Sequence, residues 1–202
     1  MGEKVILVYL VVCFFVFLAG FVDSIAGGGG LISLPAYMIA GLPVHTAIAT
    51  NKMSSSMGTF VASFHYMKKG FMKWKICIPA VFGAIAGSWI GSPLALLISE
   101  KALKIAMMVV TPVILFYVLR SKVLKGKDEN ATEVINGMLI FKSILIAAVV
   151  GIYDGIYGPG TGTFLMLLFT GFCHMTLNDA AGATKAINLT TNITALVVFL
   201  IN

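Results

Sequence analysis

Val5 to Val22 pass without a charged residue, and the run then meets Asp23 and four adjacent glycines, Gly27, Gly28, Gly29 and Gly30. An uncharged run of that length reads as a membrane helix, since about 20 apolar residues at about 1.5 Å rise cross the hydrocarbon core. Interrupting such a helix frees backbone N–H and C=O groups, each costing several kcal/mol in lipid unless protein or a wet cavity satisfies it. The remainder of the chain is of the same kind. It is 59% hydrophobic and 11% charged, with a mean hydropathy of +0.99, more apolar surface than a soluble domain of this length can bury. The fold class expected is therefore all-α, a polytopic helical membrane protein.

Apolar runs cover 5–22, 30–41, 50–67, 76–98, 102–119, 137–157, 160–172 and 180–201. The runs 30–41 and 160–172 reach only about 18 to 20 Å, short of a full crossing, and read as half-helices or re-entrant segments. The first run is expected to stay in the mature chain, because no small-residue cleavage site ends it. The net charge of +6 does not point to nucleic acid. Its lysines gather in two connections, Lys68, Lys69, Lys73 and Lys75 in one and Arg120, Lys122, Lys125 and Lys127 in the other, the pattern of cytoplasmic loops. Cys13, Cys77 and Cys173 lack metal-ligand or disulfide spacing and read as packing residues, and no cofactor is expected.

The two halves resemble each other. "GFVDSIAGGGGLISLP" from Gly20 and "GIYDGIYGPGTGTFLM" from Gly151 align at an offset of 131, the separation of Asp23 and Asp154, with Gly20/Gly151, Ile25/Ile156, Gly27/Gly158 and Gly29/Gly160 also matching. Further on, "ATNKMSSSMGT" with Lys52 answers "GATKAINLTTN" with Lys185. The expected division is a first membrane repeat at 1–119, a cytoplasmic connector at 120–136 and a second repeat at 137–202, shorter by two spans and so expected to be C-terminally truncated. Paired short, Gly/Pro-interrupted segments at matching positions mark a transporter's central site. Parallel and inverted arrangements of the repeats both remain open.

A helix restarting after Gly27–Gly30, or after Gly158, Pro159 and Gly160, aims its first N–H groups and the positive end of its dipole into the cavity, a seat for an anion. Thr161, Gly162, Thr163 and Ser33 lie at these restarts. Lys52 and Lys185 either face inward, toward Asp23, Asp154 or a substrate anion, or snorkel to the interface. Asn51, Ser55 and Asn188 share their helices. Asp23 and Asp154 either cap the restarting helices or bind and release protons. Gly83, Gly87, Gly91 and Gly137 read as close-packing positions. His45 and His174 are expected in turns, and His65 and Trp74 at the interface.

These motifs, "GFVDSIAGGGGLISLPAYMIAGLPVHTAIATNKMSSSMGT", "GIYDGIYGPGTGTFLMLLF" and "GATKAINLTTNITALVVF", closely resemble the TauE/SafE family of sulfite exporters, also called 4-toluene sulfonate uptake permeases. The resemblance implies a carrier of about eight spans in a bacterial-type inner membrane, moving sulfite or small organosulfonates, mostly outward, with the glycine breaks and lysine-bearing helices along its pathway. The family pattern continues for a further helix pair after the second lysine-bearing helix; this sequence does not. The partners expected are a small anion, the bilayer and a coupling proton, with a homo-oligomer compatible. Two other readings stand beside the carrier: a passive anion pore of the same architecture, and an intramembrane aspartyl protease built on the two aspartates.

Overall fold

A computed structural model describes residues 2–26, 28–120 and 135–202, and all its regular elements are helices. They are α1 (Gly2–Ala26), α2 (Gly30–Ile39), α3 (Val44–Lys68), α4 (Trp74–Leu97), α5 (Glu100–Arg120), α6 (Gly137–Ile156), α7 (Thr161–Gly171) and α8 (Leu177–Ile201). Gly27 and most of the 120–136 connection lie outside the described residues. Among the described residues, four helices are long and apolar enough to cross a bilayer: Ile6–Ser24, Trp74–Leu97, Gly137–Ile156 and Leu177–Ile201. The 25 residues of α3 are long enough too, but polar side chains interrupt their hydropathy. With 10 and 11 residues, α2 and α7 are half-helices as expected, reaching about 15 to 17 Å. The chain is thus an integral, polytopic helical membrane protein.

Local chemistry explains several boundaries. Asn136 accepts from the Leu139 N–H at 2.8 Å and starts α6, and Thr176 accepts from the Asp179 N–H at 3.2 Å and starts α8. Three expectations need correction. α1 runs on through Asp23 to Ala26, because Asp23 turns its carboxylate to N–H groups beyond the helix end. α3 begins at Val44, six residues earlier than hydropathy suggests, so His45 sits in its first turn rather than in a loop. Gly137 opens α6 with nothing packed against it.

The core divides in two. One cluster joins Ile76, Ala80 and Ala84 of α4 to Ala147 and Val150 of α6, Leu165 and Phe169 of α7, and Ala183 and Ile187 of α8. The other joins Leu34 and Tyr37 of α2 to Val44, Ala47 and Ile48 of α3 and Leu103 and Met107 of α5. Tyr66, late in α3, packs against the cluster that holds the early residues Ala180 and Ala183 of α8, while Phe199, late in α8, packs against the cluster that holds Val44 and Ile48, early in α3. The two lysine-bearing helices therefore run antiparallel, and the equivalent elements have inverted topology.

α4 makes the most extensive helix pair with α6. A Cβ on Gly83 would meet the Ile144 carbonyl at 2.7 Å, one on Gly87 the Ala148 carbonyl, and one on Gly91 the Ile152 carbonyl. The register advances together on both helices, so they are parallel, and the connection before α4 lies at the same end as the start of α6. Backbones this close exclude any side chain, which is how membrane helices gain contact without a hydrophobic drive. Gly87→Leu is expected to split this pair at a cost of about 1 to 3 kcal/mol or more. A lowered melting midpoint in detergent would register it, whereas Gly58→Leu, on an open face, leaves the midpoint unchanged.

Candidate functional site

Lys52 and Lys185 occupy the same position in their helices, eight residues after the first residue of α3 and of α8. Neither snorkels: Lys52 is 0% and Lys185 3% exposed. Each reaches across to the other half of the fold. The Lys52 ammonium lies 2.7 Å from Asp154 Oδ2 on α6. Lys185 donates to the main-chain carbonyl of Asp23, in the last turn of α1.

The aspartates differ in what they do. At the first break Asp23 Oδ1 accepts from the N–H of Gly28 at 2.8 Å and of Gly29 at 3.2 Å. These two N–H groups belong to the turn just before α2, whose N-cap Gly29 has no side-chain cap, and a resident carboxylate takes them both. Asp154 does not cap. Its Oδ1 accepts from the Thr161 hydroxyl at 2.6 Å and its Oδ2 faces Lys52. Apart from that 2.7 Å contact, neither Lys52 Nζ nor Asp154 Oδ2 has a hydrogen-bond partner among the described residues.

The second break is set by Gly158 and Gly160, at φ +97° and +83°, around Pro159. Side chains disfavour those angles. Space adds to the requirement, because a Cβ on Gly158 would stand 2.7 Å from the Lys52 nitrogen. Tyr153 fixes the loop from the other side, its hydroxyl donating to the Pro159 carbonyl at 2.6 Å. Where α7 restarts, the Thr161 N–H bonds the Gly158 carbonyl and the Phe164 N–H the Gly160 carbonyl. Among the described residues, the Gly162 N–H between them has no such bond to a turn carbonyl.

The two breaks meet. Gly30 faces Pro159, with room of only 3.3 Å between a Cβ there and Pro159 Cα, and Gly28 faces the Thr163 hydroxyl at the same distance. Asn51 lines the junction, accepting from the Ser33 hydroxyl at 2.5 Å. Asn188 is buried on α8 and accepts from Asn192 at 3.2 Å, a bond within its own helix. With Val16, Gly20, Asp23, Ser33 and Gly58, Ser55 lines a cavity of about 50 Å³ between α1 and α3. The structure thus gathers Gly28, Gly30, Asn51, Lys52, Gly158, Pro159, Thr161 and Asp154 at one junction. Ser55 lies to one side of it, Gly29 is buried against the Ala19 carbonyl, and Gly27 lies outside the described residues.

Sequence reading missed the anchoring role of Tyr153, visible beforehand only as a neighbour of Asp154. It also missed an apolar cavity of about 370 Å³ between α2 and α5, where Thr111 and Tyr157 hydroxyls hydrogen-bond at 2.7 Å. Nothing in the spacing of those residues links elements so far apart in the chain.

The model of the family described as "Sulfite exporter TauE/SafE" matches residues 12–202. The chain belongs to that family. A Sinorhizobium protein, "Probable membrane transporter protein ORF9", is 34% identical over 185 residues, 91% of this chain and 69% of that protein. "Probable membrane transporter protein YfcA" of Escherichia coli K12 is 34% identical over 195 residues, 94% of this chain and 70% of that protein. A "Probable membrane transporter protein" of Haemophilus influenzae is 30% identical over 189 residues, 92% of this chain and 71% of that protein. No solved structure matches the chain.

In this family member, removing one partner of a buried ion pair strands the other, at about 3 to 5 kcal/mol, whereas removing both is far milder. Lys52→Met is therefore expected to destabilise strongly, and Lys52→Met with Asp154→Asn to recover most of the loss. A double-mutant cycle of unfolding midpoints in detergent checks this.

Proposed function

We propose that this chain is a secondary carrier for small sulfur-containing anions, sulfite or organosulfonates, exporting them across a bacterial-type inner membrane. The relatives' names support membrane transport, and the family description supports the anion class. One observation carries the reading: the Lys52 ammonium, wholly buried where the two breaks meet, has Asp154 as its single partner among the described residues.

An anion entering the junction competes with Asp154 for that ammonium. Losing it leaves a buried carboxylate unpaired, which is costly, so the anion's own contacts must offset the broken pair. The Gly162 N–H, at the positive end of α7, adds a donor to the same place. With inverted lysine-bearing helices crossing at the site, rocking of one half against the other would expose it to each side in turn. The packed contact between Gly30 and Pro159 favours this over a standing pore. Each carboxylate is engaged separately, Asp23 by backbone N–H groups and Asp154 by Lys52 and Thr161, which favours it over a protease dyad sharing one proton.

Radiolabelled sulfite flux in proteoliposomes tests the reading. Lys52→Ala should lower flux about 100-fold or more, as expected when a charge-paired anion contact is lost. Asp154→Asn, which removes the charged competitor for Lys52, should lower the apparent KM for sulfite. Sulfite flux indifferent to Lys52→Ala would overturn the assignment.

A further inference from the structure

The cavity of about 370 Å³ between α2 and α5 has a buried floor and exposed apolar lips. Leu34, Met107 and Tyr157 are buried at its floor, whereas Ile39 on α2 and Met108 on α5 stand at its edges, 80% and 68% exposed. In a membrane protein such lips face hydrocarbon, so the cavity opens sideways as a groove toward the bilayer. Among its lining residues only Lys104 carries a charge, and it stands at one end, one turn into α5. From there to Thr111, near the other end, α5 advances about 10 Å.

We infer that this groove holds one acyl chain of an anionic phospholipid, with the lipid phosphate at Lys104. Its size argues against a helix as occupant. A volume of about 370 Å³ spread over about 10 Å leaves a cross-section of about 35 Å², less than half of the roughly 80 to 110 Å² that a helix takes with its side chains. A single unbranched hydrocarbon chain suits such a groove. Charge selects the lipid. Lys104 makes no ion pair among the described residues, not even with Glu100 one turn earlier, and exposed Lys101 lies on the same side of the helix. Two lysines against one glutamate leave the start of α5 positive, at the end where the helix dipole adds to that charge. A lysine one turn inside an apolar helix lays its stem along the groove and lifts its ammonium to the headgroups, where it meets a phosphate that carries no compensating choline.

The floor of the groove adjoins the site. Tyr157 bonds Thr111 of α5 at 2.7 Å and is followed at once by Gly158, the left-handed glycine packed against Lys52. A seated chain would fill the space behind Tyr157 and bear on the residue that leads into the second break. This inference holds whichever anion the junction binds.

Photocrosslinking tests it. The protein in phosphatidylcholine vesicles receives a trace of phosphatidylglycerol bearing a diazirine midway along one acyl chain, or phosphatidylcholine bearing the same label, and the crosslinked residues are mapped by peptide mass spectrometry. The glycerol lipid should mark the groove residues of α2 and α5 about fivefold more than the choline lipid, the preference that one lysine near an anionic headgroup confers. Lys104→Gln, a change at an exposed position, should abolish that preference. Met108→Trp, filling the groove from its exposed lip, should remove groove labelling by both lipids while the melting midpoint stays at its native value. Equal labelling by the two lipids overturns the inference. So does labelling spread evenly over the exposed faces of α1, α4 and α6 and unmoved by Met108→Trp, or groove labelling that vanishes as protein density in the vesicles rises, which would make a second copy the occupant. No sulfite is present, so failure here leaves the anion reading standing.

Discussion

A fully buried lysine has to be answered by a carboxylate, and the pairing of Lys52 with Asp154 organises the centre of this protein. An isolated ammonium in a low-dielectric interior costs several kcal/mol, so α3 and α6 must approach closely enough for contact at 2.7 Å. That approach leaves no space for a side chain at Gly158, whose Cβ would lie 2.7 Å from the ammonium. The glycine break and the buried charge are thus one constraint seen from two helices.

The opposite connection is made with different chemistry. Lys185 donates to the Asp23 carbonyl, not to its carboxylate, and the carboxylate instead closes on the N–H groups of Gly28 and Gly29. The sequence repeat is near-symmetric here, yet the two ends of the site are electrically unlike. At one, a carboxylate is spent on structure, holding the turn that precedes α2. At the other it sits against an ammonium that has further hydrogens to offer. Such asymmetry sets the Lys52 end of the junction apart from the Lys185 end.

Small residues carry the rest of the architecture. Between α4 and α6, Gly83, Gly87 and Gly91 face main-chain atoms of Ile144, Ala148 and Ile152, so these helices touch backbone to backbone. That packing holds α6 rigidly, and with it Asp154 and Tyr153, whose hydroxyl pins the Pro159 carbonyl. Helix α1 has no comparable support and exposes Phe14, Phe17 and Phe21.

Much of this was legible in the residues themselves. Long uncharged runs determine membrane helices because lipid leaves the backbone no other partner, and runs of 10 to 13 residues determine half-helices because they cannot span. The repeated Asp, Gly and Lys positions marked the elements that meet, since such residues are too costly in lipid to be placed without reason. Tertiary structure alone decided the pairings. Whether Lys52 turns to Asp23 or to Asp154, and whether Asp23 caps or binds, depends on the directions of α3 and α8, and a hydropathy pattern reads the same along either direction. Tyr153 reaching Pro159, and Gly20 left open while Gly151 is covered, follow from distances between segments that no spacing along the chain encodes.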